Sequence, residues 1–209
     1  NLTYFLQTSS KQFVLRRPPF GAKSLQGGHD MLREYNVLKN LKSQFSKVPD
    51  VFLYCDNNEI LGAPFYLMER VEGYIIRPNL QQKDSPGSDI IQNVSKSLVS
   101  TLVELHNVNI EKANLKDLGN INGYVKRQVE GWIKRYNHSK TDNISNMDFI
   151  SSWLYENQPS EVGSSIVHND FKYDNLVLDK DDFSKISAVL DWEMATIGDP
   201  FMDLGTTLG

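Results

Sequence analysis

Apolar and polar positions alternate along residues 1–6 and 11–16, with the polar run Gln7-Thr8-Ser9-Ser10 between them. That period of two predicts an antiparallel hairpin. The second segment must stop at Arg17-Pro18-Pro19, because proline cannot donate to a ladder and restricts its predecessor. After a glycine-bearing loop over 21–28, Met31, Tyr35, Leu38 and Leu41 recur at helical spacing and predict a helix over 29–42. Runs at 51–54 and 64–70 read as two further strands, with Asp56-Asn57-Asn58 as turn chemistry. Up to about residue 71 the chain therefore reads as a small antiparallel sheet carrying one helix.

The pattern then changes. A polar loop over 78–87 precedes a helix that Ser88 is expected to cap, running to His106 with Ile91, Val94, Leu98, Leu102 and Leu105 on one face. Residues 122–136 and 147–157 predict two more helices, rich in Trp and Tyr. Short apolar runs at 165–168, 175–178 and 186–191 follow, and the last two are expected to pair across Lys180-Asp181-Asp182. A final helix begins near Asp203. The expectation is an α+β, two-lobed molecule, β-rich over 1–71 and mainly helical over 72–209. A chain that opens on Asn1 and closes inside an element is also expected to be truncated at both ends.

Composition narrows the classes of function. Of 209 residues, 22 are Lys or Arg and 26 Asp or Glu, a formal charge of −4. That balance lacks the basic footprint of a nucleic-acid or membrane-surface binder. One cysteine, Cys55, cannot form an internal disulfide, which predicts a reducing, cytoplasmic setting. With four histidines it also excludes a Cys/His zinc framework. No run approaches the ~18 apolar residues of a membrane span.

The densest chemistry is Val167-His168-Asn169-Asp170-Phe171-Lys172-Tyr173-Asp174-Asn175, followed sixteen residues later by Asp191 at the end of an apolar run. Phosphoryl transfer needs a carboxylate to orient or deprotonate the acceptor hydroxyl, hard oxygens to hold Mg²⁺ on the phosphates, and cations to offset the transferring charge. The pattern H-x-D-x-K-x-x-N with a strand-terminal Asp supplies all three. Asp170 is the candidate base, Asn175 and Asp191 the metal ligands, and Lys172 the cation.

On these residues the chain resembles the aminoglycoside phosphotransferase-like (choline/aminoglycoside kinase) family, which shares the protein-kinase fold. It is most similar to the branch that includes domains fused to acyl-CoA dehydrogenases. The blocks that carry the resemblance are 1–4, 14–19, 29–34, 67–73, 167–178 and 190–205. The resemblance implies that Arg16 takes the phosphate-gripping position where kinases usually have Lys, with Glu34 as its ion-pair partner. Arg17 is the alternative if the strand register slips by one residue. It implies a hinge at 67–73, where the backbone C=O of Glu69 and N–H of Val71 would read adenine and Met68 would line the pocket. It also makes His168 a support of the loop and Asp203 the tie on the loop backbone. Asn169 departs from the family, since many relatives have Gly there, and the phosphate-covering turn would lie before Asn1.

The function expected is thus transfer of the γ-phosphate of ATP, with GTP not excluded, to a hydroxyl of a small molecule in the presence of Mg²⁺. A hydroxyacyl-CoA-type metabolite is the favoured acceptor. The alternative is a non-catalytic nucleotide-binding regulatory module of the same fold. A metal-dependent phosphoesterase would need more spaced His/Asp ligands than four scattered histidines provide. Trp132, Trp153, Tyr124, Tyr136 and Tyr155 are expected as core or amphipathic cover, with substrate contacts as the other reading. Lys126-Arg127 and Lys134-Arg135 are expected as a solvated helix face, with an anionic substrate as the other reading. Composition and pattern leave the oligomeric state open.

Overall fold

A computed structural model describes residues 1–21, 29–77 and 87–208. The glycine-bearing and polar loops expected at 21–28 and 78–87 therefore fall largely outside the described residues. Strands β1 (Leu2–Gln7) and β2 (Gln12–Arg17) form the expected hairpin. Its turn is closed by Thr8, whose hydroxyl oxygen accepts the Lys11 N–H at 2.9 Å. With β3 (Val51–Cys55) and β4 (Phe65–Glu69) they make an antiparallel sheet in the order β1-β2-β4-β3. Helix α1 (Met31–Leu41) lies against it and buries Met31, Glu34, Val37, Leu38 and Leu41.

Three local expectations are corrected. Helix α1 starts at Met31 and not at residue 29, because Asp30 is the N-cap and its side chain accepts the Arg33 N–H at 3.0 Å. His29 before it sits at φ +64°. Between β3 and β4 the chain makes a one-turn helix, α2 (Asn58–Leu61), in place of a simple turn, with Asn57 capping the Glu59 N–H at 2.8 Å. Helix α3 (Ser88–His106) is capped by Gly87, so Ser88 is its first helical residue and makes no capping bond.

Helix α3 packs on β5 (Ser165–Val167) and β7 (Ile186–Val189). Helices α4 (Tyr124–Ser139) and α5 (Met147–Glu156) pack on one another. Two small antiparallel ladders hold the segment from 165 to 198: β5 with β8 (Thr196–Gly198), and β6 (Leu176–Leu178) with β7. Helix α6 (Phe201–Leu208) follows. One apolar cluster runs from α1 through α3 to these ladders, with Leu41, Phe45, Val94, Leu105, Ile166 and Trp192 fully enclosed. The aromatic cover expected on α4 and α5 is only partly realised: Tyr124 is buried, but Trp132, Trp153 and Tyr155 are more than half exposed. No helix among the described residues is long and apolar enough to cross a membrane.

Beyond the sheet, Tyr74 and Leu178 exchange backbone hydrogen bonds at 2.9 and 2.8 Å, clamping the segment after β4 onto β6. Gly73 is required for that approach: a Cβ there would stand 2.1 Å from the Leu178 carbonyl oxygen.

Candidate active site

The site is built around a short loop between β5 and β6. Asp203, fully buried on α6, accepts the backbone N–H groups of His168 at 2.8 Å and Asn169 at 2.6 Å, and the His106 ring nitrogen lies 3.0 Å from the same carboxylate. Asn169 takes φ +64° in this turn, a left-handed conformation that Asn tolerates better than most residues. Its Nδ2 donates to the Met194 carbonyl at 3.0 Å, and its Oδ1 accepts the Tyr124 hydroxyl at 3.3 Å.

His168 is fully buried, and burial pulls its imidazole below the ordinary value despite nearby Asp203. The neutral ring satisfies both nitrogens: Nε2 donates to the Leu190 carbonyl at 2.9 Å, and Nδ1 accepts the Asp170 N–H at 3.3 Å. Leu190 is held from its other side as well, donating its N–H to the Asn175 carbonyl at 2.8 Å. These two bonds bring Asp191 to the loop, where it adopts φ +68°.

Within the loop, Asn175 donates Nδ2 to the backbone oxygen and to Oδ2 of Asp170, both at 2.9 Å. Lys172 Nζ lies 2.9 Å from Asp170 Oδ1 and 4.0 Å from Asp174. Its hydrogen bond to Asp170 raises the ammonium above its ordinary value. Asp170 and Asp191 are each about one-third exposed, at 34% and 37%, so both remain open to a ligand.

The sheet contributes a buried cation. Arg16 Nη2 lies 2.9 Å from Asp191 Oδ1 and 3.7 Å from Glu193, while Nη1 lies 3.4 Å from Glu34. Arg17, pointing the other way along β2, donates instead to the carbonyls of Pro18 and Leu61, at 3.2 and 2.7 Å. The register thus selects Arg16 as the cation facing α1 and Asp191. Burial alone would lower the Arg16 guanidinium, but Glu34, Tyr66 and Asp191 outweigh it and hold it above its ordinary value. Glu34 is 1% exposed, and burial pushes its carboxyl up to about 7 against the pull of Arg16. The Tyr66 phenol is buried beside Glu34, and burial together with Glu34 pushes it up.

At the candidate hinge, Glu69 gives its N–H to the Asp50 carbonyl at 2.7 Å, and its carboxylate accepts the Asp50 N–H at 3.1 Å. Among the described residues the Val71 N–H has no hydrogen-bond partner. Met68 is buried in the main core cluster.

Three participants were not singled out in the sequence. Glu193 is the third carboxylate on Arg16. His106 supports Asp203. Arg33 donates to the carbonyls of Glu193 at 3.1 Å, Leu118 at 3.5 Å and Ala195, tying α1 to the segment after Asp191. The acidic Glu193 beside Asp191 was the one available signal; backbone acceptors leave none.

The donor set suits Mg²⁺. Because Asn175 spends its Nδ2 on Asp170, its Oδ1 is a hard oxygen with no protein donor among the described residues, and Asp191 keeps Oδ2 free of Arg16. Among the described residues no cluster of three or more His, Cys, Asp or Glu could hold a metal alone. Two protein oxygens plus phosphates and water is how Mg²⁺ is usually bound beside a nucleotide.

Over residues 1–209 the chain matches the phosphotransferase enzyme family. It is 42% identical over 205 residues to acyl-CoA dehydrogenase family member 11 of Rattus norvegicus, covering 98% of this chain and 26% of that protein. To acyl-CoA dehydrogenase family member 10 of Mus musculus it is 34% identical, covering 98% and 19%. The chain therefore spans about a quarter or less of the curated relatives it matches. Among solved structures, a candidate aminoglycoside phosphotransferase from Ralstonia eutropha superposes with a TM-score of 0.82 at 29% identity, covering 98% of this chain and 59% of that one. The GDP complex of aminoglycoside 2′-phosphotransferase-IIIa shares the fold, with a TM-score of 0.69 at 18% identity, covering 96% and 66%.

Proposed function

Since this chain belongs to the phosphotransferase enzyme family, we propose that it moves the γ-phosphate of ATP to a hydroxyl of a small molecule, with Mg²⁺ as cofactor. The observation that carries this reading is the pair of bonds by which Leu190 joins His168 and Asn175, setting Asp191 beside the Asp170 loop. In this reading Asp170 accepts or orients the hydroxyl proton, held in place by Asn175 and backed by Asp203. Asn175 Oδ1 and Asp191 Oδ2 would hold the metal, which when bound would neutralise phosphate charge. Arg16 screens the phosphates from the sheet side. Lys172, about half exposed, exchanges its bond to Asp170 for a phosphate oxygen. The Val71 N–H and the Glu69 carbonyl would read adenine, with residues 1–71 forming the nucleotide lobe and 72–209 the acceptor lobe.

The acceptor we favour is a hydroxyacyl-CoA. Two relatives that contain a matching segment are named acyl-CoA dehydrogenases, so their longer chains are named for acyl-CoA chemistry. Thermal-shift titrations with ATP and GTP, each with and without Mg²⁺, test nucleotide use, because a ligand bound only by the native state raises stability by mass action. ADP release with hydroxyacyl-CoA esters tests the acceptor. Turnover retained in Asp170→Ala would overturn the assignment of the base.

A further inference from the structure

Helix α4 begins at the catalytic loop and carries a surplus of positive charge away from it. Its first residue, Tyr124, is buried and donates its hydroxyl to Asn169, next to Asp170. The ring packs against Gly198, where a Cβ would stand 2.4 Å from the Tyr124 ring, so this end of the helix is fixed. From Tyr124, the positions Arg127, Gly131, Arg135 and His138 recur at spacings of three and four, on one face, with Lys134 beside them. Arg127, Lys134, Arg135 and His138 are exposed.

The charges along this stripe are unequal in their commitments. Lys126, off the stripe, pairs with Glu130 at 3.8 Å. Arg127 donates to the carbonyls of Asn120 and Asn122. Among the described residues neither Lys134 nor Arg135 has a carboxylate within 4.0 Å, in a chain of formal charge −4. The Arg135 guanidinium folds back toward Gly131, a Cβ on which would be 3.6 Å from Nη2, and lies 4.3 Å from the ring centroid of Trp132. Trp132 is itself 54% exposed. The stripe thus ends in two cations, Lys134 and Arg135, and Trp132 borders it on the Arg135 side, roughly 160° around the helix from Lys134. The indole therefore pairs with Arg135 alone, and a guanidinium over an exposed indole suits a phosphate-bearing, base-carrying group. At 1.5 Å per residue, Arg135 lies about 16 Å along the helix from Tyr124.

We propose that Arg135, with Trp132 beside it, forms a subsite for the anionic end of an elongated acceptor whose hydroxyl lies at Asp170, with Lys134 adding positive charge on the other flank of the stripe; for the acceptor proposed above, that end is the phosphorylated nucleotide of coenzyme A. This assignment rests on the phosphotransferase reading for its acceptor, but its binding test does not. A compact acceptor would leave the far end of the stripe unused. A long one with terminal phosphates satisfies charge at the stripe and places its acyl hydroxyl at the loop.

The experiment titrates free coenzyme A into the wild-type chain by calorimetry at low ionic strength. It is repeated with Lys134→Glu/Arg135→Glu and with Lys112→Glu/Lys126→Glu, which changes the net charge equally away from the stripe. The expected result is binding weakened about tenfold or more by the stripe variant and little changed in the control. No binding to wild type, or equal weakening in both variants, overturns the subsite. A parallel ADP-release assay compares a hydroxyacyl-CoA with the same acyl group on N-acetylcysteamine. The stripe variant should raise KM for the CoA ester alone and leave kcat unchanged. Stripe-dependent binding without any ADP release sinks the phosphotransferase acceptor and leaves the subsite standing. ADP release with KM indifferent to the stripe does the reverse.

Discussion

Asn175 reaches back five residues to hold Asp170 at two points, its Nδ2 lying 2.9 Å from both the backbone oxygen and Oδ2. One amide therefore sets the shape of the loop and the orientation of the candidate base. It also presents its own oxygen for a metal. Asn175→Asp is nearly isosteric but replaces two donated bonds with a carboxylate facing a carboxylate. Phosphate transfer should fall about a hundredfold, within the usual range for loss of a positioned acid–base group, while circular dichroism shows the fold retained. ADP release at saturating nucleotide makes the measurement, and near-wild-type turnover would count against the pairing.

Glu34 gives the sheet–helix contact a pH dependence. Its folded-state value of about 7 lies above the ordinary 4.5 because burial outweighs the attraction of Arg16. A carboxyl raised on folding contributes stability that is fully present below about 4.5 and is lost as pH rises through about 7. Glu34→Gln keeps the neutral form at every pH. The difference in unfolding free energy between wild type and Glu34→Gln should therefore move in favour of the variant by up to about 3 kcal/mol between pH 4.5 and 8. Urea melts across that range give the curve; a flat difference would show that folding does not raise the Glu34 carboxyl.

Asp203 accepts from His168 N, Asn169 N and His106 at once. Asp203→Asn puts an NH₂ group among donors and leaves at least one of them unsatisfied. A stability loss of about 2–4 kcal/mol is expected, with a fall in kcat, because the loop that carries Asp170 is suspended from this residue. Denaturant midpoints and ADP release together distinguish this from a purely local effect.

Asn169 stands at φ +64°, where glycine meets no steric cost. Asn169→Gly removes the bonds to Met194 and from the Tyr124 hydroxyl but relieves the backbone, so stability should remain within about 1 kcal/mol of wild type. Asn169→Val, branched at Cβ in a left-handed conformation, should lose more than 2 kcal/mol. Equal melts for the two variants would contradict the turn geometry.

Along the chain, what was legible was whatever repeats or lies close in sequence. Alternation and helical spacing marked every strand of the sheet and helices α1, α3, α4 and α5, and the eight-residue span from His168 to Asn175 carried its chemistry in residue types alone. Tertiary structure decided what depends on distant partners. Both Arg16 and Arg17 fit the strand pattern, and only the packing of α1 and the approach of Asp191 selected Arg16. Glu193 joined the same cation from across the fold. His168 and Arg33 bind backbone carbonyls, which every residue possesses, so no sequence pattern announces them. The aromatic residues of α4 and α5 look like core by spacing, yet Trp132 and Trp153 stand open, because burial depends on what packs against a face and not on the face itself.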